Sequence, residues 1–379
     1  MAREAAGELY IGLISGTSAD AIDAALVALG PAPQLLHALS LPYPPQLRER
    51  VLALIHDEDG VVGLDELGSI DVEIGHAFAH AARTLLLQSG IDAPRVRAIG
   101  SHGQTIRHRP RRDVPFTTQM GDPNVIAEAT GITAVSDFRR RDVAAGGEGA
   151  PLVPAFHACV LADGRESRAV LNLGGIANLT LLPVRGDVAG FDTGPANALL
   201  DAWTQRQRGL SHDANGGWAA TGRCDPVLLD RLLADGYFTR RPPKSTGREE
   251  FSLAWLDLAL HGHRGLEAAD VAATLVELTA RSVAQALRAT LPSAARVIAC
   301  GGGVHNAFLM QRLQSALGAT PLESSAAHGI DPDFVEAMAF AWLAQRTLAG
   351  LPGNLVQVTG AAGPRVLGGI WPGAAVAAD

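Results

Sequence analysis

The stretch LYIGLISGTSADAIDAALVAL, residues 9–29, contains two apolar runs separated by a short polar loop. Residues 9–15 and 24–29 are rich in Leu, Ile and Val, which favours β-strands. The loop between them, residues 16–23, carries Gly, Thr, Ser and two Asp residues. A tight turn of small residues directs backbone N–H groups toward one point, where they attract phosphate oxygens. The stretch therefore predicts a β-hairpin with a phosphate-sized loop, and an ordinary Gly-Ser turn is the alternative.

A second unit of the same kind begins at residue 168. RAVLNLGGIANLTLLP, residues 168–183, predicts a strand, a turn at Gly174 and Gly175, and another strand, although a plain hairpin turn also explains the two glycines. Two strand-Gly-strand units that open two α/β halves predict a duplicated nucleotide-binding architecture. Residues 136–151, rich in Gly and charge, suit a hinge or an active-site loop between the halves.

Two further glycine-containing segments follow the second hairpin. In GFDTGPANALLDAW, residues 190–203, Asp192 is either a turn or cap residue or a carboxylate at the edge of a sheet. ARVIACGGGVHN, residues 295–306, predicts a strand and a loop of three glycines, where a phosphate or a planar group can approach the backbone closely. Close packing of strand on helix is the alternative explanation for these glycines.

Apolar spacing predicts helices in the rest of the chain. We expect Asp331 to cap the last of them, Pro332 to occupy its first position, and Gly90 to end the second. Residues 95–105 predict a short strand that runs into a polar loop. The predicted helices are 44–58, 70–89, 194–207, 225–235, 251–260, 269–290, 307–317 and 331–350.

Polar side chains in three places are candidates for substrate binding. His102, Gln104 and Thr105 supply the donors and acceptors that a sugar needs, although a lone His is more often structural. The arginines at 139–141 adjoin the predicted hinge, where one could reach an anionic group. Glu336 stands among apolar residues, so it has a partner or a function, unless it lies on the wet edge of its helix.

The composition argues against several classes of protein. There are 31 Lys and Arg against 39 Asp and Glu, with no long basic run, which argues against a nucleic-acid surface. The three cysteines are far apart, so neither a disulfide framework nor a zinc site is indicated. No apolar run approaches the ~20 residues that span a bilayer. Neither a Walker A motif nor a dinucleotide fingerprint is present. We therefore expect a cytoplasmic protein.

The order of these segments resembles the anhydro-N-acetylmuramic acid kinase family, and the similarity runs from about residue 11 to residue 363. The matching stretches are GLISGTSADAID, SHGQT, SDFRRRDVAAGGEGAPLVP, LNLGGIANLT, GFDTGPANALLD, ACGGGVHN, DPDFVEAMAFAWLA and VTGAAGP.

The resemblance implies a two-lobed, actin-like (ribonuclease H-like) α/β ATPase fold with duplicated mixed-sheet domains and a central nucleotide cleft. We assign residues 1–140 to an N-terminal lobe and 141–354 to a C-terminal lobe, and the tail 355–379 is a candidate to pack on the first. The family uses ATP and Mg²⁺ to open 1,6-anhydro-N-acetylmuramic acid with water and to phosphorylate O6. The products are N-acetylmuramic acid 6-phosphate and ADP, in peptidoglycan recycling. The resemblance also implies small-molecule substrates only and a homodimer.

The resemblance carries roles to individual residues. Asp192 matches the catalytic base and Glu336 a second carboxylate that faces the sugar. Asp20 and Asp192 are candidates to hold Mg²⁺ through water. Sugar-pocket motifs contain His102, Gln104, Thr105 and Arg141. The nucleotide-binding positions are Gly16, Thr17, Ser18, Ala19, Asp20, Ala21, Ile22, Asp23, Gly174, Gly175, Gly301, Gly302 and Gly303.

The chain departs from the family pattern at three positions, where Ala21 and Ala196 replace common glycines and Glu148 replaces a common Gln. An alanine at positive φ would be strained, and Glu148 needs a compensating charge, for which we expect Arg140, Arg141 or a metal. Three other readings stay open: a kinase for another sugar, a nucleotide-switched binding module, and a catalytically inactive sugar sensor. A nucleotide-switched binding module would need a peptide-binding region, for which we expect no residues. An inactive sugar sensor would lack Asp192 or Glu336, and both are present.

Overall fold

Two mixed β-sheets with helices packed around them form the fold in a computed structural model, which describes residues 7–16, 18–56, 61–247, 249–263 and 265–373. The strands are β1 Glu8–Ser15, β2 Ala21–Leu29, β3 Gln34–Pro42, β4 Val96–Arg109, β5 Phe116–Met120, β6 Ala134–Ser136, β7 Arg168–Leu173, β8 Ile176–Leu182, β9 Ala189–Pro195, β10 Arg296–Cys300, β11 Leu322–Ser324 and β12 Gly369–Trp371.

Helices connect and cover these strands, and short 3₁₀ turns lie between several of them. The α-helices are α1 Pro45–His56, α2 Leu64–Ser89, α3 Pro123–Thr130, α4 Arg140–Ala144, α5 Val153–Leu161, α6 Asn197–Arg208, α7 Pro226–Leu233, α8 Gly236–Thr239, α9 Leu253–Leu260, α10 Ala268–Thr290, α11 Ala307–Leu317, α12 Val335–Leu348 and α13 Val356–Thr359. No helix among these described residues has the length and apolarity needed to cross a membrane.

The contacts along the chain define two units, one with Met1–Phe156 and Phe334–Asp379 and the other with His157–Asp333. They assign residues 141–156 and α12 to the first unit, whereas the predicted lobes assign these residues to the second. The reason is packing, because α4 contacts β5 and α12 contacts β1, β2 and β4.

The same strand order occurs in both units. In the first unit, β1, β2 and β3 form an antiparallel meander, and β4 and then β6 extend the sheet in parallel from β1. In the second unit, β7, β8 and β9 form the meander, and β10 and β11 extend it in parallel from β7. The predicted α/β fold with duplicated mixed sheets is therefore confirmed.

Each sheet has its own apolar core. The first core joins β1, β2 and β4 to one face of α2, and the second joins β7, β8 and β10 to α10 and the helices around it. Helix α10 is the most buried of these, because small and apolar residues cover most of its surface. Strand β12, close to the described end of the chain, pairs with β6 in the first unit.

Several local predictions are confirmed and others are wrong. Gly90 ends α2 with a φ of 67°, as expected for a left-handed cap. The segment 101–105 is strand rather than loop, since β4 continues to Arg109. Helix α12 begins only at Val335. Asp331 instead accepts a bond from the backbone N–H of Asp333 in a local turn, so it caps no helix.

Candidate active site

The loop 16–20 joins β1 to β2 in the first unit, and side chains from two other elements hold it. The Nε2 of Gln104 donates to the carbonyl of Gly16 at 3.1 Å. Arg48 of α1 donates through Nε to the carbonyl of Ala19 at 3.1 Å and through Nη2 to that of Ser18 at 3.3 Å. These bonds fix the loop through its carbonyl oxygens. Thr17 lies outside the described residues.

The backbone of this loop explains one departure from the family pattern. The residue with a positive φ is Ala19, at 48°, whereas Ala21 begins β2 and pairs with Pro42. An alanine at position 21 is therefore unstrained, because strand geometry suits any side chain. Ile22 and Asp23 follow in the same strand, so the predicted loop is shorter than 16–23.

Three of the predicted sugar-pocket residues lie on strand β4: His102, Gln104 and Thr105. Gln104 is buried and accepts a bond from the Tyr43 hydroxyl at 3.2 Å. Thr105 is paired with Gln119, whose amide donates to its hydroxyl at 3.2 Å. His102 is buried as well. Arg141, the fourth prediction, is exposed on α4.

His102 is held by Arg139, a residue for which the sequence predicts no individual role. Its Nδ1 lies 2.9 Å from the Gly103 carbonyl, and the Nε of Arg139 donates to its Nε2 at 2.8 Å. Since Nε2 accepts, the proton of the neutral ring is on Nδ1. Burial and, to a lesser extent, the Arg139 charge hold the pKa of His102 well below its ordinary value. His102 is therefore a neutral hydrogen-bonding group and a poor proton donor.

Glu336 lies in the first turn of α12, and two glycines position this helix. Gly12 of β1 and Gly100 of β4 are partners in the parallel register. A Cβ at Gly12 would overlap the carbonyl oxygen of Ala337, and one at Gly100 would overlap that of Phe340. Helix α12 thus packs directly on bare backbone, which fixes the place of Glu336 relative to both strands.

Burial and the neighbouring charges shift the pKa of Glu336 in opposite directions. The side chain remains accessible to solvent, yet the protein around it displaces enough water to raise the pKa. The positive charge of Arg139 lowers it, and the negative charge of Asp23 raises it further. Burial in turn lowers the pKa of Arg139 to about 10. Glu336, Asp23 and Arg139 therefore form one electrostatic group in the first unit.

Asp142 organises the glycine-rich loop that follows Arg139. Its carboxylate is fully buried and accepts bonds from the Gly149 N–H at 2.8 Å, the Asn354 amide at 2.7 Å and the Thr359 hydroxyl at 2.8 Å. The Arg139 Nη1 also donates to the carbonyl of Gly149, at 2.8 Å. The segment predicted as a hinge is thus tied to the C-terminal part of the same unit.

In the second unit, Asp192 is a partly buried carboxylate in β9. The N–H of Thr246 donates to its Oδ2 at 3.0 Å, and Oδ1 has no hydrogen bond among the described residues. Burial raises the pKa of Asp192 from 3.8 to about 6, against the smaller opposing effects of the Thr246 bond and the Lys244 charge. The carboxylate is therefore poised to exchange a proton near neutral pH.

The two glycine loops of the second unit lie close together. The carbonyls of Gly174 and Gly175 accept bonds from the first N–H groups of α6, at 3.1–3.2 Å. Gly301 has a φ of 83°, and a Cβ there would lie 2.5 Å from the Asn172 side chain, so conformation and packing both require glycine. At Gly302 a Cβ would meet nothing within 4 Å. Close approach by a ligand is one reason for a glycine at that position.

The other two departures from the family pattern also have a structural explanation. Ala196 has a φ of −127°, outside the left-handed region that favours glycine. Glu148 forms an ion pair with Arg111 at 2.6 Å. The positive charge beside Glu148 is therefore that of Arg111 and not that of Arg140, which lies 3.4 Å from Asp137 instead.

The predicted magnesium ligands differ in their availability. Asp20 is exposed and forms an ion pair with Arg48 at 2.5 Å, whereas Asp192 keeps Oδ1 available. Among the described residues there is no group of three or more His, Cys, Asp or Glu side chains that could hold a metal ion. A Mg²⁺ ion that keeps its waters and binds phosphate needs only one or two carboxylates. Asp192 therefore fits such an ion better than Asp20 does.

Comparison with known proteins places the chain in a family. A sequence model described as anhydro-N-acetylmuramic acid kinase matches residues 8–373. The chain belongs to the anhydro-N-acetylmuramic acid kinase family. A member from Xanthomonas oryzae pv. oryzae is 57% identical over 96% of this chain and 97% of its own length. Another, from Pseudomonas paraeruginosa, is 52% identical over 96% of this chain and 98% of its own.

Similarity to solved structures is more distant. The activator of 2-hydroxyisocaproyl-CoA dehydratase from Clostridium difficile is 10% identical and covers 88% of this chain and 92% of its own, with a TM-score of 0.47. The family relatives therefore carry the assignment. They identify the protein as a kinase, and membership of this kinase family implies the use of ATP.

Proposed function

We propose that this kinase opens the anhydro bridge of 1,6-anhydro-N-acetylmuramic acid with water and phosphorylates the released O6. Water adds to C1, the C1–O6 bond breaks, and O6 takes the γ-phosphoryl group of ATP. The products are N-acetylmuramic acid 6-phosphate, ADP and a proton. Family membership supports the substrate class, and the state of Asp192 supports the hydrolytic step.

Asp192 is the base for the attacking water in this proposal. One carboxylate oxygen is fixed by the Thr246 N–H, and Oδ1 has no hydrogen bond among the described residues. With a pKa of about 6, the group is mostly ionised at neutral pH and still basic enough to take a proton. This combination of orientation and basicity is the observation that carries the proposal.

Glu336 and the polar residues of β4 would bind the sugar. Glu336 combines solvent access with a raised pKa, which suits a carboxylate that orients a hydroxyl or shares the water. The Thr105 hydroxyl accepts a bond from the Gln119 amide and can still donate its own proton to the sugar, whereas both ring nitrogens of His102 are already bonded to Gly103 and Arg139. The predicted role of Arg141 in this pocket stays a prediction, as its side chain is exposed.

The glycine loops would bind the phosphates of ATP. Gly302 and Gly303 begin a 3₁₀ turn, whose first amides lack acceptors within the turn. Such amides favour phosphate oxygens. When bound, Mg²⁺ would neutralise charge on the β- and γ-phosphates. We further propose that the enzyme acts in the cytoplasm, where ATP is present, in peptidoglycan recycling, and that it is a homodimer.

The test compares Asp192→Asn with Asp230→Asn, an exposed carboxylate of α7 in the same unit. General-base help is worth ~10²–10⁴-fold, so we expect Asp192→Asn to lower kcat by at least about 100-fold. ATP affinity, measured by calorimetry, should stay within about threefold of wild type in both variants, as a loss confined to chemistry leaves binding intact. Undiminished turnover of the anhydro sugar by Asp192→Asn would rule out the assigned base.

A further inference from the structure

A short segment of the second unit contacts both the backbone and the side chain of Asp192. The N–H of Asp192 donates to the carbonyl of Lys244 at 3.1 Å, and the N–H of Thr246 donates to the Asp192 Oδ2 at 3.0 Å. We call residues 244–247 the strap. The bond from the Asp192 N–H keeps the strap beside β9. Rotation of the carboxylate would break the other bond, between the Thr246 N–H and Oδ2.

Side chains at both ends anchor the strap. The hydroxyl of Thr246 donates to the Glu250 carboxylate at 2.6 Å. The Nζ of Lys244 donates to the carbonyl of Tyr237 at 3.1 Å and lies 4.4 Å from the centre of its ring. Tyr237 is fully buried, and its hydroxyl donates to the Asp192 carbonyl at 2.8 Å. Tyr237 therefore connects the strap to the backbone of the residue that the strap holds.

The charged groups beside the strap include Lys244, Arg240 and Glu250. Lys244 carries the positive charge that favours the ionised Asp192. Arg240 lies 3.6 Å from Glu250 and 5.4 Å from the centre of the Tyr237 ring, so it partly balances the negative charge of Glu250. On the strand side, Asp192 is paired with Asn178 of β8, which is neutral. The charge of Lys244 is thus the one that a substitution can remove selectively.

We propose that Lys244 and Thr246 are positioning residues for the hydrolytic step, because the strap holds Oδ2 of Asp192 and leaves Oδ1 without a hydrogen bond among the described residues. The proposal rests on the proposed role of Asp192 and goes beyond it. Neither residue touches the sugar in this view. Their effect is transmitted through the orientation of one carboxylate.

The experiment measures kcat and the KM for ATP in matched variants. Thr246→Val removes the bond to Glu250 with little change of shape, and Thr246→Ser keeps it. We expect Thr246→Val to lower kcat about tenfold, the equivalent of about 1.4 kcal/mol in the barrier, with KM nearly unchanged and Thr246→Ser close to wild type. Glu249→Gln, an exposed neighbour, is the control for Glu250→Gln. Glu250→Gln should follow Thr246→Val.

The Lys244 variants test the other anchor of the strap. Lys244→Met removes the Nζ bond to the Tyr237 carbonyl and should lower kcat about fivefold with the KM for ATP nearly unchanged, because the strap loses one anchor. Lys244→Arg, which can keep this bond, should stay close to wild type. A purely structural role would lower stability without separating kcat from KM.

Three outcomes separate this proposal from the proposed function. If Thr246→Val, Glu250→Gln and Lys244→Met keep the wild-type kcat while Asp192→Asn is inactive, the positioning role is wrong and the base stands. If Asp192→Asn is fully active, the base itself is wrong. If Thr246→Val fails to fold, as judged by circular dichroism, an unchanged kcat in a folded Lys244→Met still overturns the positioning role.

Discussion

Replacing Gly100 by alanine should inactivate the enzyme by moving a helix, without touching any polar group. The added Cβ would overlap the carbonyl oxygen of Phe340 and lie 2.7 Å from its carbonyl carbon and 3.1 Å from the Cβ of Ala344. Nonbonded carbon atoms prefer about 3.5–4.0 Å, so α12 must withdraw from β4 by about 1 Å. Glu336, in the first turn of α12, moves with it.

The expected size of the effect follows from this displacement. Overpacking of this kind costs about 1–3 kcal/mol of stability. A misplacement of about 1 Å in a reacting group can cost ~10²-fold in rate, so we expect kcat to fall about 100-fold while the protein still folds. Gly12→Ala should behave alike, because Gly12 is the register partner of Gly100 and faces Ala337 of the same helix.

The assay combines urea unfolding with steady-state kinetics on the anhydro sugar. Gly68→Ala is the matched control, since a Cβ there meets nothing within 4 Å and the residue lies inside α2. Alanine is favoured over glycine in a helix by ~1 kcal/mol, so this variant should be at least as stable as wild type and fully active. A Gly100→Ala protein with wild-type stability and kcat would refute the close packing of α12 on β4.

Further predictions concern three carboxylates. Since burial raises the pKa of Asp192 to about 6, its ionisation destabilises the folded state, with a penalty that is absent below about pH 4 and complete above about pH 6. Asp192→Asn should therefore increase the free energy of unfolding at pH 7 by on the order of 1–3 kcal/mol and lose this gain near pH 4, and urea midpoints identical to wild type at pH 7 would contradict this. Asp142→Ala removes the acceptor of three buried hydrogen bonds and leaves the Gly149 N–H without one, so it should cost about 2–4 kcal/mol in the same assay, whereas the exposed Asp113→Ala should change it little. Glu148→Gln loses only an exposed ion pair with Arg111, so a change above about 1 kcal/mol would be unexpected.

Sequence patterns predict the fold well where the pattern is local. The two hairpins, with a glycine loop in each, follow from alternating apolar runs, and α11 has the bounds that its periodicity predicts. Segment 101–105 was predicted to be a loop because its residues are polar. In β4, however, the neighbouring strands and α12 bury Ser101, His102 and Gln104, and hydrogen bonds satisfy the His102 and Gln104 side chains. Tertiary contacts of this kind are invisible in a local pattern.

The same limit applies to the site. Glu336 and Asp192 stand out in sequence because a carboxylate among apolar residues is costly without a partner or function. Arg139 was overlooked in favour of Arg141, since three consecutive arginines offer no signal for which one is buried. Lys244 and Thr246 lie more than 50 residues from Asp192 in an irregular segment, and no spacing rule connects them to it.

The most direct test follows the oxygen of water into the product. The enzyme is incubated with ATP, Mg²⁺ and 1,6-anhydro-N-acetylmuramic acid in ¹⁸O-labelled water, and the sugar phosphate is analysed by mass spectrometry. If hydrolysis of the anhydro bridge is coupled to phosphorylation, N-acetylmuramic acid 6-phosphate forms with ¹⁸O at C1 in step with ADP. The label then appears faster than exchange of the anomeric oxygen with water could introduce it. Formation of ADP without a labelled sugar phosphate would contradict the coupled reaction.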